Sequence, residues 1–268
     1  MKEKFILDLT VAAAEHIHER YVLLRLRSEA ELPEMQPGQF VEVRVDDSPH
    51  TMLRRPISIN FVDRERGELW LLVATVGEGT RRLGRLKAGD RLNCVLPLGR
   101  GFARASEAGG RFLLVGGGVG VAPLLYQGCR LKAEGAQVTF LLGARTGRDV
   151  LLLSEFERYG RVLVTTEDGS LGEKGFVTQH SVLARERWDM IQCCGPTPMM
   201  KAVAAYAWQS RTDCQVSLEN LMACGLGACL CCVEKIRRRE ADGSETVDNV
   251  CVCKEGPVFY KEQLTWQI

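Results

Sequence analysis

Cysteine is concentrated near the end of the chain, where seven of the eleven cysteines fall within residues 214–253. Cys224, Cys229 and Cys232 have the C-x4-C-x2-C spacing of plant-type [2Fe–2S] proteins, in which a fourth, distant cysteine completes the ligand set. The glycines between the first two cysteines allow backbone amides to approach the sulfurs and to donate hydrogen bonds to them. The spacing therefore predicts an iron–sulfur cluster in this part of the chain.

Alternatives to a cluster remain open on spacing alone. A structural zinc site also uses four cysteines, but it favours C-x2–4-C pairs on both sides of the site. On the distant side the chain offers only Cys251 and Cys253, separated by one residue. Free buried cysteines are the other alternative, whereas a disulfide framework is disfavoured by the odd cysteine count. Cys231 and Cys251 each lie close to a preferred ligand, so their roles are undecided.

A glycine-rich turn forms a second candidate site, between the apolar strand at residues 112–115 and a predicted helix over about 123–132. Such a turn directs amide N–H groups and the positive end of a helix dipole at a phosphate. It departs from a plain dinucleotide fingerprint, because Gly143-Ala144-Arg145 stands where an acidic residue would close the next strand. A tight structural turn is the alternative. The predicted phosphate-binding residues are Gly116, Gly117, Gly118, Gly120 and Pro123.

A third candidate is the run Arg54-Arg55-Pro56-Ile57-Ser58 at the start of a predicted strand. A guanidinium beside a hydroxyl is well matched to an anionic pyrophosphate. The loop Gly77-Glu78-Gly79-Thr80 adds backbone donors and a second hydroxyl. Taken alone, each segment is equally typical of an exposed surface turn.

The turn Cys194-Gly195-Pro196 is the fourth candidate, because a small turn that bears a thiol could approach a nicotinamide ring. The alternative is that Cys193 and Cys194 are core residues, which is where free cysteine is usually found. Met199 and Met200, just beyond the turn, are better explained by helix packing.

The elements that would position these residues fall into three parts. Short, partly alternating strands with little helix between them predict a small antiparallel β-barrel in the first hundred residues. Strands that then alternate with helices predict a parallel α/β sheet, and the last part is too short for a core of its own and would need a metal. The predicted domains are 1–104, 110–212 and 213–268. The predicted barrel strands are 22–27, 40–45, 57–61, 68–73 and 91–96.

The composition of the 268 residues excludes some functions. A net charge of +1 disfavours a nucleic-acid surface or a polybasic membrane contact. No apolar run is long enough for a transmembrane helix, and the charged start of the chain does not resemble a signal peptide. We expect a cytoplasmic protein with no membrane or nucleic-acid partner.

The order of these motifs resembles the ferredoxin–NADP reductase superfamily over nearly the whole chain. Arg55-Pro56-Ile57-Ser58 matches the flavin-binding Arg-x-x-Ser motif, with Ile57 where an aromatic residue is common. The turns at 116–120 and 194–196 match the nicotinamide-nucleotide motifs. The resemblance thus implies an FAD-binding barrel and an NAD-binding α/β domain. The cofactor contacts assigned with it are Arg55, Pro56, Ile57, Ser58, Leu72, Val73, Ala74, Gly79, Thr80, Arg145, Asp168, Cys194, Gly195 and Pro196.

Within the superfamily, the chain most resembles the electron-transfer subunits of class 1B dihydroorotate dehydrogenases. The matching runs are Leu53–Ser58, Thr166–Gly172, Ser217–Gly225 and Cys253–Phe259, and the last of these implies Cys253 as fourth ligand. The chain departs from that family at Cys231, where glycine is usual, and in the insert 237–246.

That resemblance implies a path for electrons and a partner. Dihydroorotate would be oxidised on a separate FMN-containing catalytic subunit, and electrons would pass through the [2Fe–2S] cluster and FAD to NAD+. We expect two chains of each kind, and no catalytic residue in this chain. The alternatives are an NAD(P)H-linked reductase subunit of a hydrogenase, sulfur reductase or ferredoxin-dependent complex, and a non-enzymatic zinc-stabilised binding module.

Overall fold

The computed structural model describes residues 3–48, 50–105, 109–240 and 242–266. Their strands form a closed six-stranded barrel, a seven-stranded sheet and a separate two-stranded hairpin. This confirms the predicted fold class of an antiparallel barrel, a parallel α/β domain and a small cysteine-rich part. No helix in the described ranges is both long and apolar enough to cross a bilayer.

The first part of the chain forms the barrel, with strand order β1-β2-β5-β4-β3-β6. Alternate side chains fill its interior, as the period of two requires, and residues such as Val41, Ile59 and Leu71 are fully buried there. The elements are β1 (Phe5–His18), β2 (Tyr21–Arg27), β3 (Phe40–Val43), β4 (Arg55–Asp63), β5 (Glu68–Ala74), the short helix α1 (Glu78–Leu83) and β6 (Arg91–Leu98).

Strand β1 is the one barrel strand that the sequence patterns above do not predict. Its middle, Ala12-Ala13-Ala14-Glu15, is poor in the β-branched and aromatic residues that favour strands. Tertiary pairing holds it in place instead, because it hydrogen-bonds to β2 on one side and β6 on the other.

The α/β domain has a central sheet of order β10-β9-β8-β7-β11-β12-β15, parallel throughout except for β15, which runs antiparallel to β12. Apolar strands such as Phe112–Val115 are buried on both faces, as expected for a parallel sheet. The elements are β7 (Arg111–Gly117), α2 (Ala122–Ala133), β8 (Gln137–Ala144), α3 (Leu153–Glu157), β9 (Arg161–Thr166), β10 (Glu173–Lys174), α4 (Val182–Arg185), β11 (Met190–Cys194), α5 (Thr197–Gln209) and β12 (Asp213–Ser217).

The cysteine-rich part adds the hairpin β13 (Val233–Arg239) and β14 (Glu245–Cys251), then α6 (Val252–Glu255) and β15 (Val258–Tyr260). β12 and β15 both lie beyond residue 212, and both extend the sheet of the α/β domain. Cys232 and Cys253 are buried in the same hydrophobic cluster as Phe40 of the barrel and Ile191 of the sheet. The last part of the chain therefore packs against both other parts.

Candidate functional site

The barrel wall opens between β4 and β5 at the residues predicted to hold a flavin. These two strands pair from Asp63 and Glu68 as far as Ile59 and Leu71. Beyond that point, residues 55–58 of β4 pair with β3, and residues 72–74 of β5 pair with β2. The two segments therefore diverge, and both border the same opening.

Arg55 lies at this opening against the first turn of α1. A Cβ on Gly79 would lie 2.9 Å from Arg55 Nε and 3.0 Å from Thr51 Cγ2, so a larger residue at position 79 would displace the Arg55 side chain. Arg55 Nη1 donates to the carbonyls of Leu53 (2.9 Å) and Arg54 (3.2 Å). These contacts fix one edge of the guanidinium. The structure thus brings Arg55 and Gly79 together, as the flavin prediction requires.

Other residues predicted to contact the flavin are buried or form hydrogen bonds within the protein. Leu72 and Val73 are buried in hydrophobic clusters, so they offer backbone groups rather than side chains. Thr80 Oγ1 accepts from Gly77 N (3.0 Å) and donates to Gly77 O (3.2 Å), which caps the start of α1. Ser58 is partly exposed beside the opening.

The glycine turn and the cysteine turn of the α/β domain touch each other, although they are about 75 residues apart in the chain. A Cβ on Gly120 would lie 2.6 Å from the carbonyl carbon of Cys194, and one on Gly117 would lie 2.6 Å from Met199 Sδ. Gly118 adopts φ +55°, in the left-handed region that favours glycine. Both turns lie at the carboxyl ends of neighbouring parallel strands, where such sheets bind ligands.

Two residues of this site, Tyr21 and Glu219, are not among the predicted cofactor contacts. Cys194 Sγ donates to Glu219 Oε1 (3.8 Å), just after β12. Glu219 lies at an exposed edge, but its carboxyl is shielded where it faces Cys194, and this burial raises its pKa. Tyr21 of the barrel places its hydroxyl 3.8 Å from the position of a Cβ on Gly118. Two signals in the sequence point to Glu219: it lies within the run Ser217–Gly225 that carries the resemblance, and it is an acidic residue just beyond a sheet strand.

A cleft of about 530 Å³ lies beyond the ends of β8 and β9. Asp168 accepts hydrogen bonds there from the amide (3.0 Å) and hydroxyl (2.6 Å) of Ser170, and these bonds lower its pKa. Ser170 Oγ accepts in turn from Gly147 N (2.7 Å). Arg145 is exposed at the start of the same loop. The lining residues are Thr146, Gly147, Arg148, Asp168, Ser170 and Leu171.

Backbone amides donate to the sulfurs of three of the four predicted cluster ligands, Cys224, Cys229 and Cys232. This environment suits thiolates or an anionic cluster, because amide donors stabilise negative charge on sulfur. Cys253 is buried beside Cys232, and this burial raises the pKa of its thiol. The measured amide-to-sulfur pairs are Leu226 N to Cys224 Sγ (3.3 Å), Cys231 N to Cys229 Sγ (3.5 Å) and Cys253 N to Cys232 Sγ (3.4 Å).

The two neighbouring cysteines have the opposite environment. Cys231 Sγ donates to the carbonyl of Leu221 (3.7 Å), and Cys251 Sγ donates to the carbonyl of Gly227 (3.8 Å). A carbonyl acceptor offers no stabilisation to a thiolate, which is the form of cysteine that binds a metal. This difference favours Cys253 over Cys251 as the fourth ligand.

Ionisation of Cys224 illustrates the effect of the amides. Burial opposes the thiolate, but the amides of Leu226, Cys229 and Ala228 outweigh it and lower the pKa of Cys224 to about 6. Within the described ranges, no three His, Cys, Asp or Glu side chains form a group that could hold a single metal ion. The fit to a two-iron cluster therefore rests on the amide donors to Cys224, Cys229 and Cys232 and on the burial of Cys253 beside them.

Comparisons with known proteins agree with this geometry. Residues 219–265 match the model of the iron–sulfur cluster binding domain of dihydroorotate dehydrogenase B, and residues 114–205 match the oxidoreductase NAD-binding domain.

Curated relatives carry the likeness over most of the chain. The dihydroorotate dehydrogenase B (NAD(+)) electron transfer subunit of Shouchella clausii is 41% identical over 84% of this chain and 84% of its own. That of Bacillus velezensis is 40% identical over 96% of this chain and 97% of its own. A solved structure of an NADH-dependent reduced ferredoxin–NADP oxidoreductase, from work on flavin-based electron bifurcation, is 32% identical. It has a TM-score of 0.82 and covers 99% of this chain and 92% of its own.

Proposed function

The chain belongs to the family of dihydroorotate dehydrogenase B electron-transfer subunits, and from that premise we propose how its parts divide the work. The chain accepts electrons at its cysteine-rich part and delivers them to NAD+ at its α/β domain. Dihydroorotate is oxidised on a catalytic partner subunit that contains FMN. This chain is thus an oxidoreductase subunit in pyrimidine biosynthesis whose substrate site lies on its partner.

FAD belongs at the opening of the barrel. Arg55 would hold its pyrophosphate together with the backbone at Gly79, and Ser58 would contact it from β4. The flavin, when bound, exchanges a hydride with a nicotinamide and single electrons with an iron–sulfur cluster. The contact between Arg55 and Gly79 supports this assignment, because it joins two motifs that are separate in sequence.

NAD belongs at the carboxyl ends of β7, β11 and β8. The amides of the turn 116–120 would hold its pyrophosphate, and Pro123 lies in the first turn of α2, the helix whose dipole favours that charge. Cys194 is 1% exposed, so its backbone rather than its thiol would border the nicotinamide, together with Glu219. Asp168 would accept from the adenosine ribose hydroxyl, which favours NAD over a 2′-phosphorylated nucleotide.

The [2Fe–2S] cluster belongs to the cysteine-rich loop, on Cys224, Cys229, Cys232 and Cys253. The single observation that carries this assignment is the division of the cysteines. Three sulfurs accept amide N–H groups, one of them from the amide of Cys253, whereas Cys231 and Cys251 donate to carbonyls. Amides directed at sulfur also raise the reduction potential of a cluster, because they stabilise the more negative reduced form.

The catalytic partner would dock around the same loop. Leu221, Leu226 and Leu230 are 87%, 46% and 64% exposed there, which is unusual for neighbouring large apolar residues. Short electron-transfer distances require the partner to cover the cluster, and these side chains would be buried by it. We propose a heterotetramer with two chains of each kind, located in the cytoplasm.

The test is reconstitution of electron flow. The chain is co-expressed with the candidate catalytic subunit, and dihydroorotate-dependent NAD+ reduction is measured on the purified complex. Cys229→Ser should abolish NAD+ reduction while the catalytic subunit still reduces a dye with dihydroorotate. A complex that binds FAD and iron without any such coupling would contradict the partner.

A ferredoxin-linked reductase is the second candidate, favoured by the solved structure at 32% identity. In that case the purified chain would reduce NAD(P)+ with reduced ferredoxin and would not form a complex with a dihydroorotate-oxidising subunit. The two assays therefore separate the candidates on one preparation.

A further inference from the structure

Glu42 has a buried carboxyl group without a hydrogen-bond partner. The residue has no exposed surface, and neither Oε1 nor Oε2 is bonded by any group in the described ranges. Burying a carboxyl in this way is costly, so the group requires an explanation. Barrel packing does not supply one, because Val41 and Val43 fill the barrel interior and Glu42, between them on β3, faces outward.

The carboxyl lies directly beneath the loop that carries the first predicted cluster ligand. A Cβ on Gly225 would lie 2.6 Å from Glu42 Cγ and 2.9 Å from Oε1. Gly225 follows Cys224 and has φ +64°, so both space and backbone conformation exclude a larger residue. On its other side, Glu42 pairs with Pro56, which is next to Arg55. Glu42 therefore stands between the predicted flavin strand and the predicted cluster loop.

Charges from both sides face this carboxyl. Burial raises the pKa of Glu42 to about 7, with Arg54 and Arg55 opposing the shift and the Cys224 sulfur adding to it. Arg54 does not neutralise the carboxyl by direct pairing. Its guanidinium donates to the backbone carbonyl of Glu42 (3.2 Å) and to the carbonyl and side-chain oxygens of Asn93 (3.1 and 2.5 Å).

We propose that the Glu42 carboxylate sets the reduction potential of the cluster on the Cys224 loop, by placing a buried negative charge beside it. The inference rests on the proposed function, since it needs a cluster at that loop. A nearby negative charge disfavours the added electron, and a water-poor environment strengthens the effect. Glu42 thereby holds the cluster at a lower potential than its amide donors alone would give.

The experiment is a redox titration of the full-length protein at pH 9, because alkaline pH favours the ionised carboxyl, followed by electron paramagnetic resonance of the reduced cluster. Glu42→Gln removes the charge and keeps the shape. We expect the midpoint potential of Glu42→Gln to be about 59 mV more positive than that of the parent protein. For a one-electron couple this is on the order of a tenfold change in the reduction equilibrium. Glu42→Asp keeps the charge and should remain close to the parent protein.

Glu68→Gln is the matched control, because Glu68 is a buried barrel carboxyl whose oxygens are bonded by Arg27 and Trp70. It should leave the potential unchanged. An unchanged potential in Glu42→Gln with full iron content would overturn the inference. An equal shift in Glu42→Asp would also overturn it, because packing rather than charge would then be the cause.

If Glu42→Gln fails to retain iron, Glu42→Leu replaces it, since an apolar residue suits buried surroundings better than an unpaired polar one. Loss of iron from both Glu42→Gln and Glu42→Leu would show that the carboxyl stabilises the Cys224 loop. That result would overturn the electrostatic role. A parent protein without the signal of a reduced [2Fe–2S] cluster would instead contradict the proposed function itself. The two failures are thus distinguishable.

Discussion

Gly120 and Cys194 meet at the centre of the α/β domain, where a Cβ on Gly120 would lie 2.6 Å from the carbonyl carbon of Cys194. Each residue closes a turn at the carboxyl end of its own strand, and β7 and β11 are neighbours in the sheet. Their contact joins the predicted pyrophosphate site to the predicted nicotinamide site. Any side chain at position 120 would therefore disturb both of these sites.

Gly120→Ala should weaken NADH binding at least about tenfold and destabilise the fold by about 1–3 kcal/mol, as overpacking against backbone does. FAD and iron content should be unchanged, because neither predicted site lies at this turn. Flavin reduction by NADH in rapid-mixing experiments and thermal unfolding measure the two effects. Wild-type NADH affinity would contradict the assignment of this turn.

Cys253→Ser should lose the cluster, whereas Cys251→Ser should retain it. The two residues are separated by one position, but Cys253 is buried beside Cys232 and donates its amide to the Cys232 sulfur (3.4 Å), whereas Cys251 Sγ donates to a carbonyl. Iron content and visible absorbance of the purified variants measure the outcome. Equal loss in both variants, or loss in Cys251→Ser alone, would reverse the ligand assignment.

Arg55→Ala should release FAD, because the predicted anchor of its pyrophosphate is removed. We expect loss of at least about 1.5–3 kcal/mol of binding free energy, the range for a hydrogen bond to a charged group. Arg91→Ala is the control, since Arg91 lies on the same barrel and forms an exposed ion pair with Glu29. Flavin content after dialysis is the measurement, and equal retention in both variants would place the flavin elsewhere.

Much of the fold could be predicted from local pattern. Alternation and turn residues identify the barrel strands, and the change to strands alternating with helices identifies the α/β domain, because both signals lie within a few residues of sequence. β1 was missed since its alanine-rich middle is stabilised by pairing with β2 and β6 rather than by propensity.

The residues of the candidate site also fall into two groups, those that local sequence indicates and those that only tertiary structure reveals. Cysteine spacing and glycine turns are local, so the ligands and the phosphate turn could be predicted. Tyr21 and Glu42 could not, because each reaches the candidate sites only through the packing of a distant segment. Glu219 lies in the run Ser217–Gly225, but its contact with Cys194 is likewise a property of tertiary structure. Burial of an unpaired carboxyl, in particular, is a property of tertiary structure that no spacing encodes.

Glu219→Gln should alter how stability depends on pH. Burial raises the pKa of Glu219 in the folded state, so the folded protein favours the protonated form, and ionisation destabilises it as pH rises from the unfolded pKa through the folded pKa. Glutamine is neutral at every pH. The variant should therefore match the parent protein near pH 4.5 and unfold at a higher temperature at pH 8. Glu157 on α3 is exposed, so the control variant Glu157→Gln should leave the unfolding temperature unchanged at both pH values.

Asp168→Asn should lower the preference for NADH over NADPH, because a carboxylate accepts from a ribose 2′-hydroxyl and repels a 2′-phosphate. We expect the ratio of kcat/KM for the two nucleotides to fall about tenfold, a coupling of about 1.4 kcal/mol. Steady-state dye reduction with each nucleotide measures this ratio.

The hairpin of the cysteine-rich part provides a matched control for that substitution. Asp242 accepts from the amide (2.9 Å) and hydroxyl (2.6 Å) of Ser244, the same arrangement that Asp168 makes with Ser170. Asp242→Asn therefore removes an equivalent turn-stabilising charge at a place with no predicted nucleotide contact. If both variants change the nucleotide ratio equally, loop stability rather than contact with the ribose is the cause. A change confined to Asp168→Asn assigns the 2′-position of the nucleotide to the cleft beside Ser170.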